Sequence, residues 1–245
     1  MLAFEHADGG GGRVQRPPVY NAEDYAEYLQ KYCKYSGLQL YLNTGSEMGG
    51  RKSGKSKMMG KKIDRSDSNV KTVERNRIEM GLKQFSSISE LLNKLKTDLH
   101  LSYSSFQKEF VSPPHNGVSL LLDVLKTIQL SQTSLANDHS NSIGMKDHND
   151  VFKQALADEH ECLLCLSLSV EAEDGCMSLA DHPSGLFTVS VCLMSNLSRS
   201  RVLALQLLTR MCKVDHRQVS DAVSMLRLRF GEPVRFKFLM GRYHL

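Results

Sequence analysis

The sequence predicts an all-α protein in which a small helical subdomain is followed by stacked helical repeats. In the central stretch 75–132, apolar side chains recur every three or four residues, which is the period of a helix with one buried face. Beyond this stretch, further short amphipathic segments joined by tight turns continue to the last residues of the sequence. Together these two patterns favour helices packed on helices.

The N-terminal part is predicted to contain one helix after a disordered lead. Residues 1–16 are Gly-rich and polar, so we expect a disordered N-terminus. A helix follows within 17–44, with Asn21 as its N-cap. Its apolar face consists of Tyr25, Tyr28, Leu29 and Tyr32. The segment Leu38–Leu42 is either a short strand or the tail of this helix.

The composition shifts at residues 45–72, where Gly, Ser, Lys and Arg dominate. Because periodic apolar residues are missing, we interpret this segment as a flexible basic insert. A solvated linker is the favoured interpretation. The alternative is a segment that contacts acidic lipid head groups or an acidic protein.

Residues 73–135 form the predicted helical subdomain. Its apolar groups at helical spacing are Ile78, Leu82 and Phe85; Ile88, Leu91, Leu92, Leu95 and Leu99; and Val118, Leu121, Leu122, Leu125 and Ile128. Ser87 followed by Glu90 predicts a capping box at the start of the second group. Pro113–Pro114 and Asn116–Gly117 predict the boundary before the last group.

A polar loop over 136–149 is expected to lead into repeats over 150–245. Asn149 or Asp150 would cap the first helix, and further helices are predicted at 175–180, 186–194, 199–212 and 232–239. Asp215 or His216 is predicted to start another helix that ends at Phe230. In the helix 199–212, the residues expected to point inward are Val202, Leu205, Leu208 and Met211 or Cys212. Units of this size indicate an α-solenoid of the armadillo type. The solenoid looks truncated, so we expect self-association or another chain as its cap.

Composition excludes several classes of protein. The net charge of +4 and pI of about 8.7 are too mild to indicate a nucleic-acid partner. No apolar run approaches the roughly 20 residues of a membrane span, and no secretory signal is recognisable. The six cysteines lie mostly in apolar helical patterns, which predicts reduced core residues in a cytoplasmic protein.

Three motifs contain residue types that serve in catalysis or metal binding. Gly49–Ser56 matches a phosphate-binding loop, but no credible helix and no later metal-binding strand follow, so a nucleotide hydrolase is the third-ranked hypothesis. Cys162 and Cys165 are two of the four ligands a structural zinc needs, and core packing is the simpler interpretation. His182 precedes Pro183 and is interpreted as a turn residue. We therefore predict no catalytic residue, metal or cofactor.

Four stretches resemble the N-terminal regulatory region of diaphanous-related formins, which comprises a GTPase-binding domain and an armadillo-like FH3 region. They are Pro17–Tyr20 before a helix; Ile88–Gln132, with Ser105, Phe106 and Phe110 in a turn; Glu159–Leu166; and Arg201–Cys212. The resemblance implies a small helical subdomain packed on armadillo repeats.

The same resemblance implies a regulatory module for GTP-loaded Rho-family GTPases in organising the cortical actin cytoskeleton. By position, the GTPase contacts would be Thr97, His100, Leu101, Ser102 and Phe106. A groove for a formin C-terminal autoregulatory segment or an actin-regulatory protein would include Gln206, Arg210 and Lys213.

Two departures from the family pattern qualify this implication. Arg210 and Lys213 stand where formins carry apolar residues, and the actin-assembling FH2 pattern is missing from this sequence. The alternative function is an armadillo-type scaffold that does not bind a GTPase.

Overall fold

A computed structural model describes residues 15–45, 85–137 and 145–229, together with isolated positions between 231 and 241. Its helices are α1 (Ala22–Gly45), α2 (Ile88–Leu101), α3 (Ser104–Val111), α4 (Gly117–Asn137), α5 (Met145–Ser169), α6 (Glu173–Asp181), α7 (Gly185–Val191), a 3-10 turn (Cys192–Met194) and α8 (Ser198–Arg229). Over the described ranges the chain contains no strand, only an isolated bridge between Arg16 and Ser102. The all-α prediction is confirmed.

One apolar core runs through all of these helices. α5 packs against both α2 and α4, and α8 packs against α7 and α5. Buried side chains form one cluster from Tyr25 in α1 to Leu226 in α8. Among the described helices, none combines the length and apolar character that crossing a bilayer requires. The division into subdomain and repeats stays a prediction, since both share this core.

Helix α1 follows its predicted cap and face. The side chain of Asn21 accepts the backbone N–H of Asp24 at 2.7 Å. Tyr25 and Leu29 are fully buried, and Tyr28 and Tyr32 pack against the core. Because α1 continues to Gly45, the segment 38–42 is the tail of the helix and not a strand.

Several predictions fall partly or wholly outside the described residues. These are the disordered lead over 1–14, the insert over 46–72, Ile78 and Leu82, the helix predicted at 232–239, and the motif Gly49–Ser56. Phe85 lies in a non-helical position and is 1% exposed.

Helix α5 begins earlier than predicted. It starts at Met145, so Asn149 and Asp150 lie within it and do not cap it. Asp150 instead pairs with Lys153 at 3.6 Å. The predicted loop 136–149 is correspondingly shorter, since helix occupies 136–137 and 145–149. Asn149, Asp150 and Val151 are exposed, with Val151 53% exposed, so the sequence has no buried stripe at these positions.

Helix α8 buries a different face from the one predicted. In the part predicted as helix 199–212, the buried residues are Ser200, Leu203, Ala204, Leu207, Leu208 and Met211. Val202 and Leu205 are 52% and 43% exposed, and Cys212 is exposed, so only Leu208 and Met211 were placed correctly. Apolar residues lie on two faces of this helix, and their periodicity does not show which face is buried. The packing of α8 against α7 determines the buried face.

Helix α8 bends at Asp215, whose backbone is non-helical (φ −149°, ψ 98°). The Asp215 carboxylate accepts the N–H groups of Arg217 at 2.9 Å and Gln218 at 3.0 Å. Asp215 therefore caps the second half of α8, in agreement with the helix start predicted at Asp215 or His216. Leu228, near the end of this half, is 64% exposed.

Candidate functional site

The site is built on α2, and its first turn is firmly fixed. The N–H of Glu90 donates to the Ser87 hydroxyl at 3.2 Å, which is half of the predicted capping box. The other half is shifted by one residue, because the Glu90 carboxylate accepts the hydroxyl and N–H of Ser86 at 2.6 and 2.8 Å. These bonds, with the Lys94 ammonium, lower the pKa of Glu90 to about 2. The helix then buries Leu91, Leu92, Leu95 and Leu99.

The end of α2 is held by a carboxylate that is completely buried. Oδ2 of Asp98 accepts the N–H of Val19 at 2.8 Å and the hydroxyl of Tyr25 at 2.9 Å. Oδ1 makes an ion-pair contact with Nη2 of Arg16 at 2.8 Å. The N–H of Arg16 also donates to the carbonyl of Leu101 at 3.0 Å. Arg16, assigned from the sequence to the disordered N-terminus, is therefore fastened across the end of α2.

Sequence reasoning missed Asp98. The sequence does place Asp98 beside Leu95 and Leu99 on the buried face of the helix. An acidic residue is found at such a buried position only when it is paired, and this pattern indicates a buried partner for Asp98. Burial raises the pKa of the Tyr25 hydroxyl, and its bond to the Asp98 carboxylate raises that pKa further. The proton therefore stays on Tyr25, which donates to Asp98.

The predicted GTPase contacts separate by burial. His100 is exposed, and Thr97 and Leu101 are half-buried. Ser102 and Phe106 are only 6% and 4% exposed. Phe106 lies in an aromatic cluster, with its ring centroid 6.1 Å from Tyr25 and 6.4 Å from Phe110. Ser102 and Phe106 can therefore support the site from beneath, while Thr97, His100 and Leu101 are reachable from outside.

The reachable residues border a surface pocket of about 420 Å³ between α2 and α5. Its walls are Lys96, Thr97, His100 and Leu101 from α2 and Leu164, Ser167 and Leu168 from α5. The ammonium of Lys96 lies 2.6 Å from the carboxylate of Glu161, which fastens the two helices beside the pocket. We call this the α2–α5 pocket.

Sequence reasoning did not include the α5 wall of the pocket. Leu164 and Leu168 are partly buried, because they pack against the core on one side and border the pocket on the other. Their spacing of four residues placed them on one helix face, but nothing in the sequence placed that face opposite α2.

A larger cavity of about 480 Å³ lies on the opposite side of Thr97, over the N-terminal segment. Its charged side chains are already paired with one another. Arg16 contacts Asp98, and Lys94 contacts Glu90 at 2.9 Å. The α2–α5 pocket, with its apolar floor, is the better place for a partner to insert a side chain.

The three predicted groove residues lie on one exposed face of α8. The guanidinium of Arg210 donates to the carbonyls of Ser167 and Val170, each at 3.3 Å. It thus satisfies carbonyls at the C-terminal end of α5, beside the α2–α5 pocket. Gln206 and Lys213 are exposed on either side of it along the helix.

The cysteine motif is part of the core. Cys162 and Cys165 are fully buried, and their thiols donate to the carbonyls of Leu121 and Leu92, each at 3.3 Å. Burial raises the pKa of both thiols, so neither is a ready metal ligand or nucleophile. Across the described residues no group of three His, Cys, Asp or Glu side chains is arranged to hold a metal. His182 lies in a turn, where its Nδ1 accepts the N–H of Ser184 at 3.3 Å.

Comparison with known proteins identifies a family. Residues 31–213 match the model of the Diaphanous GTPase-binding Domain family. The chain is also 21% identical over 193 residues to human formin-like protein 1. That alignment covers 62% of this chain and 18% of the relative, so the chain corresponds to a small part of that protein.

Proposed function

The chain belongs to the Diaphanous GTPase-binding Domain family, and from this premise we propose that it binds GTP-loaded Rho-family GTPases at the α2–α5 pocket. It acts as a regulatory module in actin organisation, in the cytoplasm near the cortical cytoskeleton. The module contributes binding and no catalysis or actin assembly of its own. The observation that carries the proposal is that this pocket lies at α2, within the matched residues.

The shape of the pocket supports a protein partner. Leu101, Leu164 and Leu168 offer apolar surface, and Lys96 and His100 add polar groups beside it. An apolar pocket of this size accepts a side chain from another protein, and such pockets hold the residues that dominate interface energy. An aromatic or aliphatic side chain of the GTPase fits that description.

The rigidity of the pocket supports dependence on the nucleotide. Segments of a GTPase become ordered when the terminal phosphate is present, so an effector gains specificity by offering a fixed surface that only the ordered form matches. Here α2 is fixed at its start by Ser87 and at its end by Asp98, and Lys96 joins it to α5.

The direct test is binding to Rho, Rac and Cdc42 loaded with GDP or a GTP analogue, measured by calorimetry. We expect binding to the GTP form only. His100→Asp alters an exposed side chain beside the pocket, so it should weaken binding at least about tenfold without lowering the melting temperature. Val151→Asp is the matched control, because it lies on α5 about 20 Å along the helix from Leu164.

Two results would contradict the proposal in different ways. Equal or absent binding to both nucleotide forms would remove the effector function altogether. Normal binding by both His100→Asp and Leu101→Asp would leave a GTPase-binding module but place its interface elsewhere.

The exposed face of α8 extends the proposal to a second partner. Gln206, Arg210 and Lys213 lie together there, and the same face carries the exposed apolar side chains Val202 and Leu205. A formin C-terminal autoregulatory segment or an actin-regulatory protein is the proposed occupant. Self-association through the exposed Leu228 region is proposed as well.

A further inference from the structure

A separate small cavity lies between α4, α5, the 3-10 turn and the end of α8, and its volume is about 190 Å³. At its mouth are three exposed polar side chains, Thr133, Asn196 and Arg229. Its inner wall includes Gln129, Glu159 and Ser195, which are 7%, 2% and 8% exposed. The cavity therefore leads from solvent to a buried carboxyl group. We call it the Glu159 pocket.

The carboxyl group of Glu159 is incompletely satisfied. Oε2 accepts the amide of Gln132 at 3.3 Å, but Oε1 is buried and has no hydrogen-bond partner. Burial raises the pKa of Glu159, and nearby hydroxyls of Ser195 and Ser200 with the Gln132 amide offset only part of that effect. Within the described part of the chain, no lysine or arginine forms an ion pair with it. A buried carboxylate without a cation is costly, so the site favours an incoming positive group.

We propose that the Glu159 pocket binds the guanidinium group of an arginine from a partner protein, with Glu159 as its counter-ion. The amide nitrogens of Gln129 and Gln132 already donate, to the carbonyls of Thr188 at 2.9 Å and Ala155 at 3.2 Å. Their amide oxygens, with Oε1 of Glu159, remain as acceptors. A guanidinium has five planar donors and serves such a set better than the compact ammonium of lysine.

The size and lining of the pocket fit this ligand. At about 30 Å³ for each water, the volume corresponds to roughly six waters, which leaves room for a guanidinium and part of its stem. Leu156, Val191 and Met194 also line the pocket and supply apolar surface for the methylene groups of that stem.

Arg229 is an arginine of this chain that borders the Glu159 pocket, so it competes with a partner's arginine for Glu159. Its guanidinium donates to the hydroxyl of Thr133 at the mouth, at 3.4 Å, and forms no ion pair with Glu159. Oε1 of Glu159 thus has no hydrogen-bond partner, while the arginine of the chain itself contacts Thr133 at the mouth of the pocket. This arrangement favours an arginine from elsewhere as the occupant.

The test titrates the full chain with N-acetyl-arginine amide, followed by NMR, with citrulline and lysine analogues alongside. We expect saturable binding of the arginine compound at ~1 mM, as befits so small a ligand. The uncharged citrulline compound should bind at least about tenfold more weakly. Glu159→Gln should abolish binding while keeping or raising the melting temperature, and Asp150→Asn, an exposed carboxylate on the same helix, should change nothing.

Arg229→Gln decides between the two arginines. Binding that is unchanged or tighter in this variant supports the proposal. Binding that appears only in this variant would overturn it, because the chain's own arginine would then fill the pocket in solution. Absence of saturable binding in both parent and variant, or equal binding of citrulline, would also overturn it. None of these results depends on GTPase binding.

Discussion

Replacing Asp98 by alanine should be among the most damaging single changes in the N-terminal helices. The change removes the acceptor of two short hydrogen bonds, from Val19 N–H at 2.8 Å and from the Tyr25 hydroxyl at 2.9 Å. Each bond to a charged acceptor contributes about 1.5–3 kcal/mol. We therefore expect a loss of about 3–6 kcal/mol in the free energy of unfolding, which overlaps the about 3–5 kcal/mol typical of breaking a buried ion pair.

Urea unfolding followed by circular dichroism measures this loss. Tyr25→Phe removes one of the two bonds and should lose about half as much, about 1.5–3 kcal/mol. The double variant should lose less than the sum of the two, because the variants share one bond. Asp150→Ala is the control, since its carboxylate is 78% exposed and pairs with Lys153 at the surface, so its loss should stay within about 0.5 kcal/mol.

The same variant tests whether the N-terminal segment positions the proposed site. Asp98 does not border the α2–α5 pocket, but its loss frees Arg16 and the segment that bonds to Leu101. GTPase binding should weaken even at temperatures where the variant is folded. A loss of stability below about 1 kcal/mol would refute the assignment of Asp98 as the fastening of α2.

Three further changes test other parts of the structure. Phe106→Ala should cost about 3–5 kcal/mol in a urea melt, because the ring is 4% exposed, and normal stability would contradict its core position. The folded state binds a proton at Glu159 more tightly than the unfolded state, so the parent should lose stability as the pH rises from the ordinary glutamate range to the raised pKa. Glu159→Gln should not show this loss of stability. Comparing the stability of parent and variant across the pH range cancels the contributions of Asp158 and His160. Identical stability profiles of the two proteins would refute the assignment of the raised pKa to Glu159. Arg210→Ala should weaken the attachment of α8 to α5, because its guanidinium bonds to the carbonyls of Ser167 and Val170.

The elements that the sequence predicted correctly are those whose signals are local. The end of α3 and the start of α4 follow from Pro113–Pro114 and Asn116–Gly117, which act within a few residues. Asn21 and Asp215 serve as caps because their carbonyl or carboxylate oxygens reach N–H groups two or three residues ahead. Such signals need no knowledge of the rest of the fold.

The elements that the sequence missed depend on what lies opposite them. Val202 and Leu205 lie at helical spacing from Leu208, and the packing of α8 against α7 and α5 decides which apolar residues are buried. Likewise, the end of α2 was recognised as a candidate site, but its second wall of Leu164 and Leu168 comes from a helix more than sixty residues further along. Asp98 belongs to the same class, because its partners Val19 and Tyr25 are separated from it by 79 and 73 positions.

Arg210 is where the two predicted partner surfaces meet, and its substitution separates a structural role from a binding role. Its two bonds to the α5 carbonyls are long, at 3.3 Å each, so Arg210→Ala should cost only about 1–2 kcal/mol in stability. Because Ser167 borders the α2–α5 pocket, the loss should also weaken GTPase binding, although Arg210 is not part of that pocket.

Two further variants, Arg210→Lys and Lys213→Ala, separate the structural role of Arg210 from a role in binding. Lysine keeps the charge but lacks the planar fork that reaches two carbonyls, so it should restore stability only in part. Lys213→Ala leaves α5 untouched and should preserve both stability and GTPase binding, while weakening any autoregulatory segment bound to the exposed face of α8. If Arg210→Ala and Lys213→Ala behave alike in every assay, Arg210 is a surface contact only, and the end of α5 does not need it. If Arg210→Ala loses GTPase binding and Lys213→Ala keeps it, the bonds from Arg210 to Ser167 and Val170 are needed for GTPase binding. A partner on the exposed face of α8 that binds Arg210 would then break these bonds. The GTPase and that partner would compete without touching each other.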